Sequence, residues 1–97
     1  MVIRIVKMTF KTDSTDQFLA IFDTYKERIR SAEGCSHLKL LRDDASPNIF
    51  FTYSIWDDPK YLEKYRTSPT FGEVWPQVKP LFAAPTEAWT TQALHEI

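Results

Sequence analysis

The sequence predicts an α+β fold of the ferredoxin-like type, with helices on one face of an antiparallel four-stranded sheet. The length of 97 residues fits a single domain that spans residues 1–97. Strand and helix patterns follow one another in the order strand, helix, strand, strand, helix, strand, which is the split βαβ arrangement. The clearest strand is the third, NIFFTYSIW at residues 48–56, because it is rich in β-branched and aromatic residues.

The first half of the chain contains one strand and one amphipathic helix. Residues 2–10, VIRIVKMTF, are β-branched and apolar with partial alternation, so they predict a strand. Ser14 and Gln17 have the spacing of a capping box, which predicts the start of a helix. Glu33–Gly34 is expected to end it. The apolar face of this helix carries residues three and four apart, namely Phe18, Ile21, Phe22, Tyr25 and Ile29.

A hairpin follows the first helix. Residues 35–42, CSHLKLLR, predict the second strand, and the turn-forming residues 43–47 lead into the third strand at residues 48–56. Asp58 followed by Pro59 is a good helix N-cap and first helical position, so a second helix should begin there.

The last quarter of the chain repeats the helix-start signal and ends in an extended segment. Ser68–Pro69 predicts a further helical stretch, and Pro76 and Pro80 are expected to break or kink it. Residues 87–94 predict the fourth strand.

The composition excludes several classes of protein. A formal charge of −1, with acidic and basic residues interspersed, provides no field that would attract nucleic acid or an anionic membrane. There is no apolar run of the roughly 20 residues that span a bilayer, and the N-terminus lacks the pattern of a signal peptide, so a cytoplasmic location is expected. The single cysteine, Cys35, agrees with a reducing compartment and has no motif beside it that would activate the thiol.

The third strand predicts both an interface and a cavity, because successive side chains of a strand point to opposite faces of the sheet. One face is wholly bulky and apolar, formed by Ile49, Phe51, Tyr53 and Ile55; the other is formed by Phe50, Thr52, Ser54 and Trp56. The helices cover only one face, so the bulky face should meet a second copy of the chain in a homodimer. Thr52 and Ser54 are too small to fill the space beneath a helix, which predicts a cavity there with Trp56 at one end.

Three segments make the sequence resemble the antibiotic biosynthesis monooxygenase (ABM) family of dimeric α+β barrels. They are VIRIVKMTF, EGCSHLKLLRD and FFTYSIWDDPKYLEKYRTSPTF, in which a strand ends in Trp and is followed by a helix and a Ser-x-x-Phe segment. The resemblance covers essentially the whole chain and specifies the fold more closely than the reaction. It implies a ferredoxin-like subunit, a two-subunit barrel, and a pocket between sheet and helices in each subunit.

The resemblance also implies a reaction: oxidation of an electron-rich ring by molecular oxygen, often without flavin, haem or metal. The substrate expected here is a small aromatic or quinol-like compound, bound without a cofactor. The alternative is a non-catalytic dimer of the same fold that binds a small ligand or acts in a stress response. A purely structural dimer with a filled core is a third interpretation.

Two residues are the candidates for catalysis. Trp56 matches the Trp at the end of the family's strand and could contact the substrate ring, or it could simply cap the core. Tyr65 lies where many relatives carry His, and its hydroxyl could orient a substrate oxygen, or the ring could only pack helix against sheet. With an ordinary pKa near 10, a tyrosine is a poor base at neutral pH.

The candidates for substrate binding surround these two. Alternation places Arg4 on the same face as Val6, so Arg4 could hold an anionic substrate oxygen near Trp56, or reach solvent at the sheet edge. The full set of substrate-binding candidates is Arg4, Val6, Phe22, Thr52, Ser54, Phe71 and Trp75, and Tyr25 is a further candidate for the aromatic walls.

Haem and metal chemistry are not expected. Haem-degrading relatives carry the axial His where this chain has Trp75, and an Asn where it has Val6. Indole cannot ligate iron. His37 and His95 have no ligand spacing between them, and the only glycines, Gly34 and Gly72, form no phosphate-binding loop.

Overall fold

The computed structural model describes residues 1–97 and contains one four-stranded antiparallel sheet. The strands are β1 (Val2–Thr9), β2 (Cys35–Arg42), β3 (Ile49–Trp56) and β4 (Glu87–Thr91). The helices are α1 (Thr15–Arg30), α2 (Pro59–Arg66) and α3 (Pro69–Val78), followed by a short 3-10 helix, Lys79–Leu81. The strand order is β2-β3-β1-β4, so the predicted ferredoxin-like fold is confirmed. No helix of the chain has both the length and the apolar composition that are needed to span a bilayer.

The start signals of α2 and α3 act as the sequence predicts. The Asp58 side chain accepts a hydrogen bond from the Lys60 backbone N–H at 3.0 Å, and the Ser68 hydroxyl accepts one from the Phe71 N–H at 3.3 Å. Each satisfies a backbone donor that the first helical turn leaves unpaired. These two caps fix where the aromatic residues that follow them lie over the sheet.

Two expectations about the ends of elements are wrong. Ser14 precedes α1 but makes no side-chain cap, because its ψ of 0° lies outside the extended region that aims a capping side chain at the helix. β4 ends at Thr91 rather than at residue 94, since Thr91 pairs with Ile3 and β1 has almost no residues left to pair beyond it. The expected break after the prolines lies at Pro80, because α3 runs through Pro76 to Val78 and the 3-10 helix that contains Pro80 follows it.

The two faces of the sheet differ as the alternation of β3 predicts. Phe50, Ser54 and Trp56 are buried beneath the helices. Ile49, Phe51, Tyr53 and Ile55 lie on the opposite face, only partly covered. Strand pairing adds Ile3, Ile5, Leu41 and Trp89 to that opposite face, and also the polar residues Lys7, His37, Lys39 and Glu87; it is called the outer face below.

The core beneath the helices is divided into two clusters at opposite ends of the sheet. One contains Met8, Phe10, Phe18, Phe50, Val78 and Leu81. The other contains Val2, Cys35, Trp56 and Leu62. The middle of the inner face, between the clusters, is crossed by two rows of paired residues, Thr90-Arg4-Ser54-Leu38 and Ala88-Val6-Thr52-Leu40. This central region is where the sheet carries its smaller side chains.

Gly34 is required where the chain turns from α1 into β2. Its φ is +81°, which favours glycine, and a Cβ at this position would lie 2.2 Å from the Tyr61 ring. Tyr61 is therefore a packing residue that lies directly on the Gly34 backbone.

Replacing Gly34 by Ala should lower the free energy of unfolding by about 2–4 kcal/mol, since it combines left-handed backbone strain with an overlap that Tyr61 cannot avoid cheaply. Gly72→Ala is the matched control, because nothing lies within 4 Å of a Cβ there. Since Gly72 lies within α3, this variant should gain about 1 kcal/mol from helix propensity. Urea unfolding followed by circular dichroism measures both; equal stabilities for the two variants would contradict this account of the turn.

Candidate active site

A cavity of about 420 Å³ lies between the middle of the sheet and the helices. Its floor is formed by the two central rows of the inner face, because Thr52 and Ser54 are too short to reach the helices above them. The roof comes from α1 and α3, with Phe18, Phe22 and Ile29 from the first and Val74 and Val78 from the second. The cavity predicted from the small residues of the third strand is therefore present.

All nine predicted site residues line this one cavity, although their roles in catalysis and binding stay predictions. They are Arg4, Val6, Phe22, Thr52, Ser54, Trp56, Tyr65, Phe71 and Trp75. Tyr25 does not line it. Its hydroxyl accepts a hydrogen bond at 3.0 Å from Gln77 Nε2, outside the cavity, so its assignment to the aromatic walls is wrong. The rotation of α1 directs Phe22 inward and leaves Tyr25 beside α3.

One side of the cavity is a continuous row of aromatic rings. Trp56 lies 5.3 Å from Tyr65, Tyr65 lies 5.6 Å from Phe71, and Phe71 stacks on Trp75 at 5.8 Å, measured between ring centroids. Such ring contacts stabilise one another. Tyr65 meets Phe71 edge to face at 81°, while Phe71 and Trp75 lie within 9° of parallel, so the wall offers separate ring faces on which a flat aromatic molecule can stack.

Trp56 is at once a core residue and part of the cavity wall. It is 1% exposed and belongs to the buried cluster with Val2, Cys35 and Leu62. Its indole Nε1–H donates to the Ser54 Oγ at 3.0 Å. A hydroxyl that accepts this bond retains its own proton, so Ser54 can still donate to a molecule in the cavity.

Tyr65 brings a hydroxyl that has no hydrogen-bond partner within the chain. Burial raises the pKa of Tyr65 to about 12, with a smaller contribution from Cys35. The desolvated phenolate is the less stable form, so the hydroxyl stays protonated throughout the neutral range. Tyr65 is thus suited to donate a hydrogen bond to a substrate oxygen and unsuited to accept a proton from it.

Sequence reasoning missed two polar residues of the cavity. Arg66, the last residue of α2, lines it beside Tyr65, and Thr86, just before β4, lines it near Met8. The Thr86 hydroxyl is buried and has no hydrogen-bond partner. For Arg66 a signal exists in the sequence: it lies four residues after the buried Leu62, a spacing that returns a helical side chain to the same face.

Two other reactive side chains, Cys35 and His37, do not line the cavity. The Cys35 thiol is buried, and its burial raises its pKa, so it stays protonated at neutral pH. His37 contacts Tyr53 on the outer face, with the ring centroids 5.9 Å apart. No group of three or more His, Cys, Asp and Glu side chains is placed to hold a metal ion.

The family model of the antibiotic biosynthesis monooxygenases matches residues 1–75. The chain belongs to this family. The match extends over β1 through most of α3, so it includes every predicted site residue.

Solved structures show the same fold at low sequence identity. A crystal structure of an antibiotic biosynthesis monooxygenase is 19% identical, covers 98% of this chain and 100% of its own, and superimposes with a TM-score of 0.92. Rv0793 from Mycobacterium tuberculosis is 20% identical, with 98% and 96% of the two chains covered and a TM-score of 0.89. A conserved protein from Methanosarcina mazei Go1 is 22% identical, with 95% and 92% covered and a TM-score of 0.88.

A curated relative from Synechocystis, an uncharacterized protein, is 29% identical over 77 residues. The matched region is 79% of this chain but 52% of the relative, so the chain spans about half the length of this protein. The name of this relative states neither a family nor an activity.

Proposed function

We propose that this ABM-family chain is a monooxygenase that oxidises a small aromatic or quinol-like compound with molecular oxygen and needs no cofactor. The observation that carries the proposal is the cavity of about 420 Å³, walled by Trp56, Tyr65, Phe71 and Trp75. Ligand sites are typically apolar, aromatic-lined and supplied with few polar groups, and this cavity fits that description. The volume suits a compact ring system.

The chemistry balances without an external reductant when the substrate itself supplies the electrons. In an anthrone-type ring, a CH₂ group becomes C=O; one atom of O₂ enters the product and the other leaves as water. The ring carbon loses four electrons and O₂ gains four. The protein's task is then to exclude water, hold the ring against the aromatic wall, and stabilise the negative charge that develops on the substrate oxygen.

Two hydroxyls near the Trp56 end of the cavity can donate hydrogen bonds to that negatively charged oxygen. The Tyr65 hydroxyl is protonated at neutral pH and unpartnered, and the Ser54 proton remains free after the hydroxyl accepts from Trp56. Donors already in place lower the energy of a developing oxyanion without reorganising during the reaction.

Oxygen uptake with a panel of hydroquinones and anthrones tests this function. We expect uptake with at least one compound, and a fall in kcat of about tenfold or more for Tyr65→Phe, because the variant removes a donor and keeps the ring. Tyr25→Phe is the matched control and should retain the wild-type rate, since Tyr25 lies outside the cavity. Saturable quenching of tryptophan fluorescence with no uptake would contradict catalysis and make the chain a ligand-binding protein of the same fold. A fully active Tyr65→Phe variant would contradict the assigned role.

We also propose that the chain forms a homodimer through the outer face and acts in the cytoplasm. No helix of the chain covers that face, and Trp89 and Leu41 are 46% and 44% exposed there. Apolar surface of this extent is rarely left in contact with water. Two antiparallel sheets commonly pack face to face through such apolar faces.

Sedimentation velocity tests the dimer. The wild-type chain should sediment as a two-chain species at micromolar concentration, and Phe51→Lys should sediment as a single chain because it replaces an apolar contact by a second ammonium group beside Lys7 on the outer face. Glu27→Lys, on the exposed side of α1, is the control and should remain dimeric. A wild-type protein that sediments as a single chain would contradict the proposed interface.

A further inference from the structure

The side chains that line the cavity include no base that works at neutral pH. The lining contains no Asp, Glu, His, Lys or Cys, and its only ionisable groups are Arg4, Tyr65 and Arg66. Guanidinium groups remain charged and cannot take up a proton. With its pKa at about 12, Tyr65 is protonated as well. A ring that must lose a proton before it reacts with oxygen finds no acceptor for that proton in this cavity.

The same cavity carries two guanidinium groups. Arg4 extends from β1 next to Ser54 of β3, and its Nη1 donates to the Thr90 hydroxyl of β4 at 2.9 Å. Arg66 extends from the end of α2, where its Nη1 lies 3.3 Å from a carboxylate oxygen of Glu63. Each guanidinium has five N–H donors, so most of their donors remain unused by these contacts.

The two guanidiniums lie within each other's electrostatic field. The pKa of Arg4 is lowered, first by burial and then by the positive charge of Arg66, while the Glu63 carboxylate acts in the opposite direction. Glu63 does not line the cavity, and its side chain is 69% exposed. Tyr65 from α2, with Ser54 and Trp56 from β3, completes the surroundings and adds no charge at neutral pH. Two positive groups and one negative group leave this end of the cavity with a net positive charge.

We infer that the cavity takes its ligand as an anion, a phenolate or enolate of an acidic aromatic compound, with the charged oxygen held between Arg4 and Arg66. The inference rests on the proposed function for the identity of the cavity as the ligand site, and it names the substrate class. The substrate loses its proton to water before it binds, so the protein needs no base. Arg4 and Arg66 select the ionised form, and the anion is the electron-rich species that reacts with oxygen.

Two ring compounds of nearly the same shape test the charge requirement. 2-Hydroxy-1,4-naphthoquinone has an enol that is ionised at neutral pH, and its O-methyl ether is neutral. Quenching of tryptophan fluorescence gives the Kd of each at pH 7. We expect the hydroxy compound to bind at least tenfold more tightly than the ether, which corresponds to about 1.4 kcal/mol. Equal affinities, or no saturable quenching by either compound, would overturn the inference.

Charge variants then locate the anion. Arg66→Gln and Arg4→Gln should each weaken binding of the hydroxy compound about tenfold or more and weaken binding of the ether much less, because a charged oxygen gains more from a guanidinium than a neutral carbonyl does. Glu63→Gln should tighten binding of the hydroxy compound, since Arg66 is then freed from its ion pair. Lys26→Gln, which removes a positive charge from the exposed side of α1, is the control and should behave as wild type. Circular dichroism checks that each variant is folded. If Arg4→Gln does not fold, the result for Arg66→Gln decides the test, because Arg66 lies at the end of a helix where substitution disturbs the fold less.

The pH dependence of binding distinguishes a ligand that is ionised before it binds from a ligand that is deprotonated by a base of the protein. With 2-naphthol, a weaker acid, the affinity should rise with pH towards the pKa of the naphthol itself, and Glu63→Gln should not change that profile. A profile set by a protein group, or loss of oxidation in Glu63→Gln, would contradict it. Tight binding of the anion, with no oxygen uptake from any hydroquinone or anthrone of the panel, would remove the monooxygenase proposal and leave this inference standing. Oxygen uptake with that panel, together with equal affinities for the hydroxy compound and its ether, would remove this inference and leave the monooxygenase proposal standing.

Discussion

The alternation of side chains along β3 is the constraint on which the other features of this structure depend. A strand directs successive residues to opposite faces, so the bulky residues at 49, 51, 53 and 55 all reach the outer face. Thr52 and Ser54 then lie under the helices, in the middle of the inner face. Pairing with β1 and β2 places the two large clusters at the ends of the sheet and leaves the centre thinly filled. A shift of β3 by one residue would reverse both faces, closing the cavity and placing the hydroxyls of Thr52 and Ser54 on the outer face.

Much of the fold and of the site is predictable from the sequence because it depends on short-range rules. Alternation identifies the two faces of β3, and the caps at Asp58 and Ser68 set where α2 and α3 begin. Once these elements are placed on a ferredoxin-like sheet, Trp56 and Tyr65 must face the same space. The strand order makes β1 and β3 neighbours, as a ferredoxin-like fold predicts, and the observed register then places Arg4 opposite Ser54.

The remaining features depend on tertiary geometry that spacing does not specify. The backbone at Ser14 turns the side chain away from the helix, although its spacing from Gln17 fits a cap. Tyr25 shares the apolar face of α1 with Phe22, and only the rotation of the docked helix separates their surroundings. The position of Thr86 depends on the loop before β4. Its buried and unpartnered hydroxyl marks a second polar end of the cavity, remote from Arg4.

The stability of Thr52→Leu tests most directly whether the space above β3 is open. Leu has the bulk to occupy part of the cavity floor, and Thr52 lies at its centre between Val6 and Leu40. If the cavity is real, the added methyl groups enter empty apolar space, and the free energy of unfolding in urea should stay equal or rise by about 1 kcal/mol. If the helices already pack closely on Thr52, the larger side chain overpacks the core, and the free energy of unfolding should fall by about 1–3 kcal/mol. That second result would contradict the account of the site.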